Sequence, residues 1–172
     1  LGDVYKRQES GSQKVLNNNN KNFDIGYAKQ VIKEVKEIGF RVRTSFIFDL
    51  PTTTKEDMQK TINFILETEP DEIRGHFLAL RLGTTIYNKL AKEKEIPTQY
   101  IHSDKPLIEN EKYTNSEMLQ DIETLISKLK DKEYKIVKNV KEWENLESLR
   151  NKEGKIKFLS FCPSKYGIDW EK

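Results

Sequence analysis

Between Asp24 and Ile38 the apolar residues recur at helical spacing. Ile25, Ala28, Val31, Ile32, Val35 and Ile38 form one continuous stripe. Asp24 can cap the start of this helix, and Gly39 stands where a left-handed residue ends one. Arg41 to Phe48 reads as a strand. Phe46, Ile47 and Phe48 make its end apolar, as in a strand buried on both faces. Pro51 stops it. Thr54-Lys55-Glu56-Asp57 resembles a capping box with aspartate in the place of glutamate. The helix that follows carries Met58, Ile62, Ile65 and Leu66 on one side and ends at Pro70. Ile73 to Leu80 reads as a second strand, Gly83-Thr84 as a turn, and Thr85 to Glu95 as a third helix. Ahead of these, Gln13 to Leu16 can form one helical turn. The run Asn17 to Asn20 breaks it, because asparagine competes for backbone hydrogen bonds.

Helix and strand thus alternate from Asp24 to Glu95 with short loops. That order predicts a parallel sheet with covering helices and right-handed crossovers. An open doubly wound sheet and a piece of a barrel share the pattern. The remainder reads differently. Pro97 to Asn115 is polar and irregular. Ser116 to Leu129 is an amphipathic helix on Leu119, Ile122, Leu125, Ile126 and Leu129. Trp143, Leu146 and Leu149 mark a shorter helix, and Lys155 to Phe161 a strand. The end, from Cys162 to Trp170, is a turn-rich aromatic coil.

Composition narrows the class. Of 172 residues, 34% are charged and 35% hydrophobic, as in a soluble globular chain. No run reaches the roughly 18 apolar residues of a membrane span. The net charge of +2 leaves no electrostatic footprint for nucleic acid or an anionic membrane. The mixed-sign stretch from Lys128 to Lys135 reads as a solvated helix end. The single cysteine, Cys162, excludes an internal disulfide framework and fits a reducing cytoplasm. Residues 1–8 stand apart. Asp3-Val4-Tyr5-Lys6-Arg7-Gln8 reads as a translated transposase adapter of the kind used in tagmentation libraries. Natural sequence is then expected to begin at about Glu9, inside a longer gene.

Candidate chemistry falls in three loops at the carboxyl ends of predicted strands, where parallel α/β folds bind ligands. They are Glu9-Ser10-Gly11-Ser12-Gln13, which would follow a strand now lost, Phe48 to Thr54, and Leu80 to Thr84. Hydroxyls and helix N-termini there suit a ligand rich in hydroxyl or anionic groups. A carboxylate such as Glu9 can accept two hydrogen bonds from a ribose diol. The plainer reading makes these capping and turn residues. His76, in a strand, reads as a hydrogen-bonded core or barrel-lining residue. His102, Cys162, Tyr166 and Trp170 carry no clear chemical signal.

Taken in order, Glu9-Ser10-Gly11-Ser12-Gln13, Asn20-Lys21, the helix ending at Gly39, Phe46 to Asp57 and Gly83-Thr84 resemble the second half of a radical S-adenosylmethionine (SAM) enzyme core. The branch they resemble is shared by cobalamin-binding radical SAM proteins, tRNA methylthiotransferases and Elongator-type enzymes. The likeness covers roughly residues 9–92. It implies an α/β fold: the C-terminal part of a partial (β/α) TIM-like barrel (residues 9–95), then an α+β accessory region (96–172). A half barrel is expected to leave an unpaired strand edge and an exposed apolar face.

The resemblance also implies roles. Glu9 stands where the family places a polar residue on the SAM ribose, with Ser10 and Ser12 lining the same loop. Lys21 stands where a basic residue meets the SAM carboxylate, and Ser45 where some relatives place a ribose-binding acid. The full-length parent would hold a 4Fe-4S cluster, take electrons from a donor, and generate a 5′-deoxyadenosyl radical for modification of a substrate. An upstream cobalamin domain is left open. The three-cysteine cluster motif is not in this sequence, and no metal ligand or catalytic residue is assigned. There are departures. Asp49 replaces the glycine before Leu-Pro, Thr52 and Thr53 replace the glycine and glutamate that follow, and Leu82 replaces a proline. They keep two alternatives in view: a non-catalytic binding domain derived from the radical SAM fold, and a cluster-free α/β enzyme binding a phosphorylated ligand at Thr52-Thr53-Thr54.

Overall fold

The computed structural model describes residues 3–93, 106, 113–153 and 156–161. In chain order they form β1 (Asp3–Glu9), α1 (Gln13–Asn18), α2 (Ile25–Glu37), β2 (Arg41–Ile47), α3 (Lys55–Thr68), β3 (Glu72–His76), α4 (Thr85–Glu93), α5 (Asn115–Asp131), β4 (Lys135–Val137), α6 (Val140–Glu153) and β5 (Phe158–Ser160). The strands make one sheet in the order β1-β2-β3-β5-β4, and every neighbouring pair is parallel.

The predicted caps are the ones used. Asp24 accepts the Tyr27 N–H at 2.6 Å, and Gly39 takes a φ of +87° beyond α2. Thr54 and Asp57 close a reciprocal capping box on α3. The stripe on α2 buries Ala28 and Ile32, whereas Ile38, its last member, becomes the exposed C-cap. The second strand is shorter than expected, because pairing with β2 ends at His76 and the chain then turns away. Two strands escaped the pattern. β1 includes the adapter-like hexapeptide, and β4 has three residues. The loop from Glu9 therefore does follow a strand here. A parallel ladder uses backbone groups, so a strand position can be filled without regard to side-chain type.

Cross-strand register sorts the side chains onto two faces. Thr44 lies opposite Ile73, and Phe46 opposite Gly75. On this face Val42, Phe46, Ile73 and Leu159 join the core that α2, α3 and α5 cover. On the other face Arg43 lies opposite Glu72, and Ser45 opposite Arg74, which lies opposite Ser160. The expectation of an apolar strand end buried on both faces holds for β2, where Phe46 and Phe48 join the core and Ile47 packs on the other side against Val15, Leu50, Leu78, Leu80 and Tyr87; the second face is polar toward the start of the strand, at Arg43 and Ser45.

Strand order explains where α6 sits. From β1 to β3 and across to β4 the chain advances in one direction, with α2, α3 and α5 on the apolar face. From β4 it returns one position to β5. A right-handed crossover run backwards must put its helix on the opposite side. Accordingly Leu146 and Trp143 of α6 pack with Val137 and Phe158, residues of the second face. The described strands form an open parallel α/β sheet. Its first three strands follow the sequential order a barrel would have, and its last two do not.

The accessory region is tied to the rest through the left-handed end of α3. Glu69, at φ +42°, pairs with Lys132 and, at 3.2 Å, with Lys157. The Tyr134 hydroxyl donates to the Pro70 carbonyl at 2.6 Å. Among the described residues no helix is long and apolar enough to cross a membrane.

Candidate functional site

The three candidate loops do lie at carboxyl ends of strands, and their hydroxyls do local work. Ser12 caps α1, with its Oγ 3.5 Å from the Val15 N–H, and donates to Asp57 Oδ1 at 2.7 Å. Ser10 Oγ shares a hydrogen bond of 3.3 Å with Thr61 Oγ1 and accepts from the Ser12 N–H at 3.1 Å. The Gly11 N–H donates to Thr61 Oγ1 at 3.0 Å. Only glycine fits at that point, since a Cβ on Gly11 would lie 2.5 Å from the Thr61 Cα and 2.9 Å from the Lys60 carbonyl oxygen. Gln13 accepts from the Ile25 N–H at 3.0 Å and donates to the Phe23 carbonyl at 2.7 Å, joining α1 to α2. The Glu9–Gln13 segment is therefore pressed onto α3 and pinned there.

The hub of that clamp is Asp57, 1% exposed. It accepts from Ser12 Oγ, from the Thr54 N–H at 3.2 Å and from Thr54 Oγ1 at 2.7 Å, with Lys14 Nζ 3.5 Å away. Burial pushes its carboxyl up, but the hydrogen bonds from Ser12 and Thr54 and the Lys14 charge outweigh it and hold the group below its ordinary value. Sequence reasoning found Asp57 as a capping residue and missed its bond to Ser12, which spans 45 positions. A carboxylate already fills the N-terminal end of α3, so the place a phosphate would take beside Thr54 is occupied by Asp57.

The second loop holds a strained turn. The Thr53 N–H donates to the Leu50 carbonyl at 3.1 Å, Pro51 is the second residue, and Thr52 sits at φ +71°. This is a type II arrangement, which favours glycine at its third position. Of the residues in this loop that depart from the family, Thr52 and not Asp49 takes the left-handed conformation. Asp49 is buried instead, and its Oδ1 accepts the Leu78 N–H at 2.5 Å, joining the ends of β2 and β3. The asparagine run has a use that sequence reasoning missed. Asn18 donates to Thr52 Oγ1 at 3.0 Å and Asn19 to the Pro51 carbonyl at 3.1 Å, so the first loop holds the second. In the third loop, Thr84 accepts the Tyr87 N–H at 3.2 Å and caps α4, while Leu82 is exposed.

Glu9 and Lys21 are brought together. Lys21 Nζ lies 3.0 Å from Glu9 Oε1 and 2.9 Å from Oε2. Glu9 is the last residue of β1, at φ +58°, and Lys21 is half-exposed in the loop after α1. Ser45 is buried on β2, one position from Phe46, which lies opposite Glu9, and its own cross-strand neighbour is Arg74. Ser10 and Ser12 face α3. His76 ends β3, where its carbonyl accepts the Phe48 N–H at 3.0 Å. His102, Cys162, Tyr166 and Trp170 lie outside the described residues. Among the described residues no group of three His, Cys, Asp or Glu side chains could hold a metal ion.

A surface groove of about 540 Å³ runs between α2 and the end of α3. Its lysines are committed: Lys29 pairs with Glu67, Lys33 with Glu37, and Lys36 donates to the Thr68 and Glu69 carbonyls. It is a solvated, salt-bridged surface.

No protein-family profile matches the chain. A candidate methylthiotransferase of Methanocaldococcus jannaschii is 36% identical over 73 residues, a stretch covering 42% of this chain and 16% of that protein. The chain thus corresponds to a small part of that relative. The similarity is confined to that stretch.

Proposed function

We propose that this chain carries the SAM-binding half of a radical SAM enzyme core, within a parent that modifies its substrate through a 5′-deoxyadenosyl radical. The observation that carries the reading is the Glu9–Lys21 pair at the carboxyl end of β1. It sets an acid able to accept from a ribose diol beside a base able to meet a carboxylate, at the positions where the family resemblance asks for both. The stretch shared with the candidate methylthiotransferase supports the same family.

The residues fit SAM selectively. Lys21 is half exposed and can turn toward a ligand, while Glu9 is 17% exposed with its Oε2 buried at the strand end. Ser10 and Ser12 spend their hydroxyls within the protein, so in this reading they hold the loop in place rather than touch SAM. Ser45 lies close by on β2. The residues do not fit the cluster. A 4Fe-4S centre needs several thiolates, and the sequence has one cysteine. Its ligands, the reductant's docking site and any cobalamin domain then belong to other parts of the parent. SAM supplies the radical precursor once the cluster is supplied. This chain binds and orients.

The deciding experiment is to sequence the source DNA on the 5′ side of the Glu9 codon. A continuous frame encoding Cys-x-x-x-Cys-x-x-Cys about 100 residues upstream, the scale of a missing half barrel, supports the reading and leaves residues 3–8 as adapter. A gene that starts near Leu1 and genuinely encodes the hexapeptide overturns it, leaving a cluster-free relic.

A further inference from the structure

The polar face of the sheet has a feature that neither packing nor the SAM reading uses. Ser160 closes β5 with 0% exposure, and its Oγ has no hydrogen-bond partner. Trp143, in the first turn of α6, buries an indole Nε1–H that also has none. Between them lies Arg74. It is the register partner of Ser160, and its guanidinium carbon is 6.0 Å from the centre of the Trp143 ring. Arg74 donates its Nε–H to Glu72 Oε1 at 2.7 Å, and Arg43 Nε stands 2.6 Å from Glu72 Oε2 as an ion pair. Two arginines thus meet one buried carboxylate. Arg74 thus stands in register with one unpartnered buried hydroxyl and beside the ring that carries one unpartnered buried N–H, among the described residues. Buried donors in a packed interior are almost always hydrogen-bonded, so each of these two calls for a partner.

Topology puts this spot where a ligand is expected. Ser160 is the last residue of β5, and α6 begins just beyond the carboxyl end of β4. Here the chain reverses its direction across the sheet, and open α/β sheets bind ligands outside strand carboxyl ends at such reversals.

We propose that Arg74, Ser160 and Trp143 form a binding site for the oxyanion of a small ligand, a carboxylate or a phosphate. The guanidinium Nη groups supply the charge and a forked pair of donors. The serine hydroxyl and the indole N–H fix the remaining oxygen. Glu72 orients Arg74 from below and leaves the fork free to point at the ligand. The site does not depend on SAM or a cluster.

The test is a titration of the 172-residue chain with inorganic phosphate and, separately, with succinate, followed by the indole ¹H–¹⁵N resonance of Trp143. Trp170→Phe assigns that resonance. The expected result is a saturable shift that sodium chloride at equal ionic strength does not produce. Ser160→Ala weakens the response about tenfold, the weight of one hydrogen bond to a charged partner. Arg74→Lys keeps the charge beside Glu72 but loses the fork, and weakens it at least as much. Tighter phosphate identifies a phosphoryl ligand, and tighter succinate a carboxylate. A resonance that moves no more than it does in chloride overturns the proposal. So does a response that both variants leave unchanged while the resonance stays in its folded position.

Discussion

The two faces of the sheet are built on opposite terms from alternate residues of the same strands. On one face Val42, Phe46, Ile73 and Leu159 meet α2, α3 and α5 in a continuous apolar layer. On the other Arg43, Ser45, Glu72, Arg74 and Ser160 stand in register. Apolar burial needs no partner and improves with every contact. Burying charge is costly, and Glu72, 3% exposed, is tolerable only because two arginines hold both its oxygens. Replacing such a cluster with well-packed apolar residues is commonly neutral or stabilising. Such a cluster is therefore weak evidence for stability in itself, while α6 closes this face beside it with Leu146 and Trp143 on Val137 and Phe158.

The largest break falls on the helix side. Gly11→Ala forces a Cβ against the α3 backbone, 2.5 Å from the Thr61 Cα. The atoms it meets are the α3 backbone and the Phe64 Cβ, none of them a flexible tip, so the loop must lift and release the Ser10, Gly11 and Ser12 bonds together. A loss of about 3 kcal/mol in a denaturant melt is expected, the upper end for overpacking. A cost under about 0.5 kcal/mol, as at an ordinary surface site, would show that the loop is not clamped.

On the charged face, Glu72→Gln keeps the shape and removes the charge that two guanidiniums share. Breaking a fully buried pair costs about 3–5 kcal/mol. Because the Arg43 and Arg74 side chains are 21% and 23% exposed, water recovers part of that, and about 2 kcal/mol is expected. If Glu72→Gln is neutral in the melt, the two faces do not differ in the way argued.

The apolar face was largely legible in the sequence and the polar one was not, for a physical reason. Helical periodicity needs only a count of apolar residues, so the stripes on α2, α3 and α5 and their caps could be read directly. The charged positions Arg41, Arg43, Glu72 and Arg74 also alternate, but the apolar endings of the two strands dominated the reading. β4 is too short for any pattern to declare itself. The site was legible only as loops. The sequence offers Glu9 and Lys21 as types, and their meeting depends on how α1 turns the chain. The link from Ser12 to Asp57 joins segments 45 positions apart, and no local signal announces it.

A smaller effect separates the clamp from simple packing. The Asp57 carboxyl titrates below its ordinary value of 3.8 in the folded chain. A depressed carboxyl contributes stability that is full above the unfolded value and is lost as pH falls through the folded one. Asp57→Asn is expected to cost about 1–2 kcal/mol at pH 7, the range for a cap and a buried hydrogen bond. The gap between variant and parent should close as the pH drops below about 4. A gap that stays constant from pH 7 to pH 3 would assign the loss to shape rather than charge.

The smallest effect has the opposite sign. Thr52 holds a β-branched side chain at φ +71° in a turn that favours glycine there. The left-handed region costs an L-residue roughly 1–2 kcal/mol, and most for a branched one. Thr52→Gly removes that strain but gives the unfolded chain more freedom, worth about 0.4–1 kcal/mol in the other direction. It also gives up the exposed Asn18 bond to Thr52 Oγ1, a minor loss. The balance is a gain of about 0.5 kcal/mol, or a few degrees in the thermal midpoint for a domain of this size. Thr52→Ala keeps the Cβ and should recover little of it. If alanine stabilises as much as glycine, the strain lies in the branch and not in the backbone. If neither stabilises, the Asn18 and Asn19 bonds already hold the turn at no net cost, and the first loop, rather than the turn's own chemistry, sets its geometry.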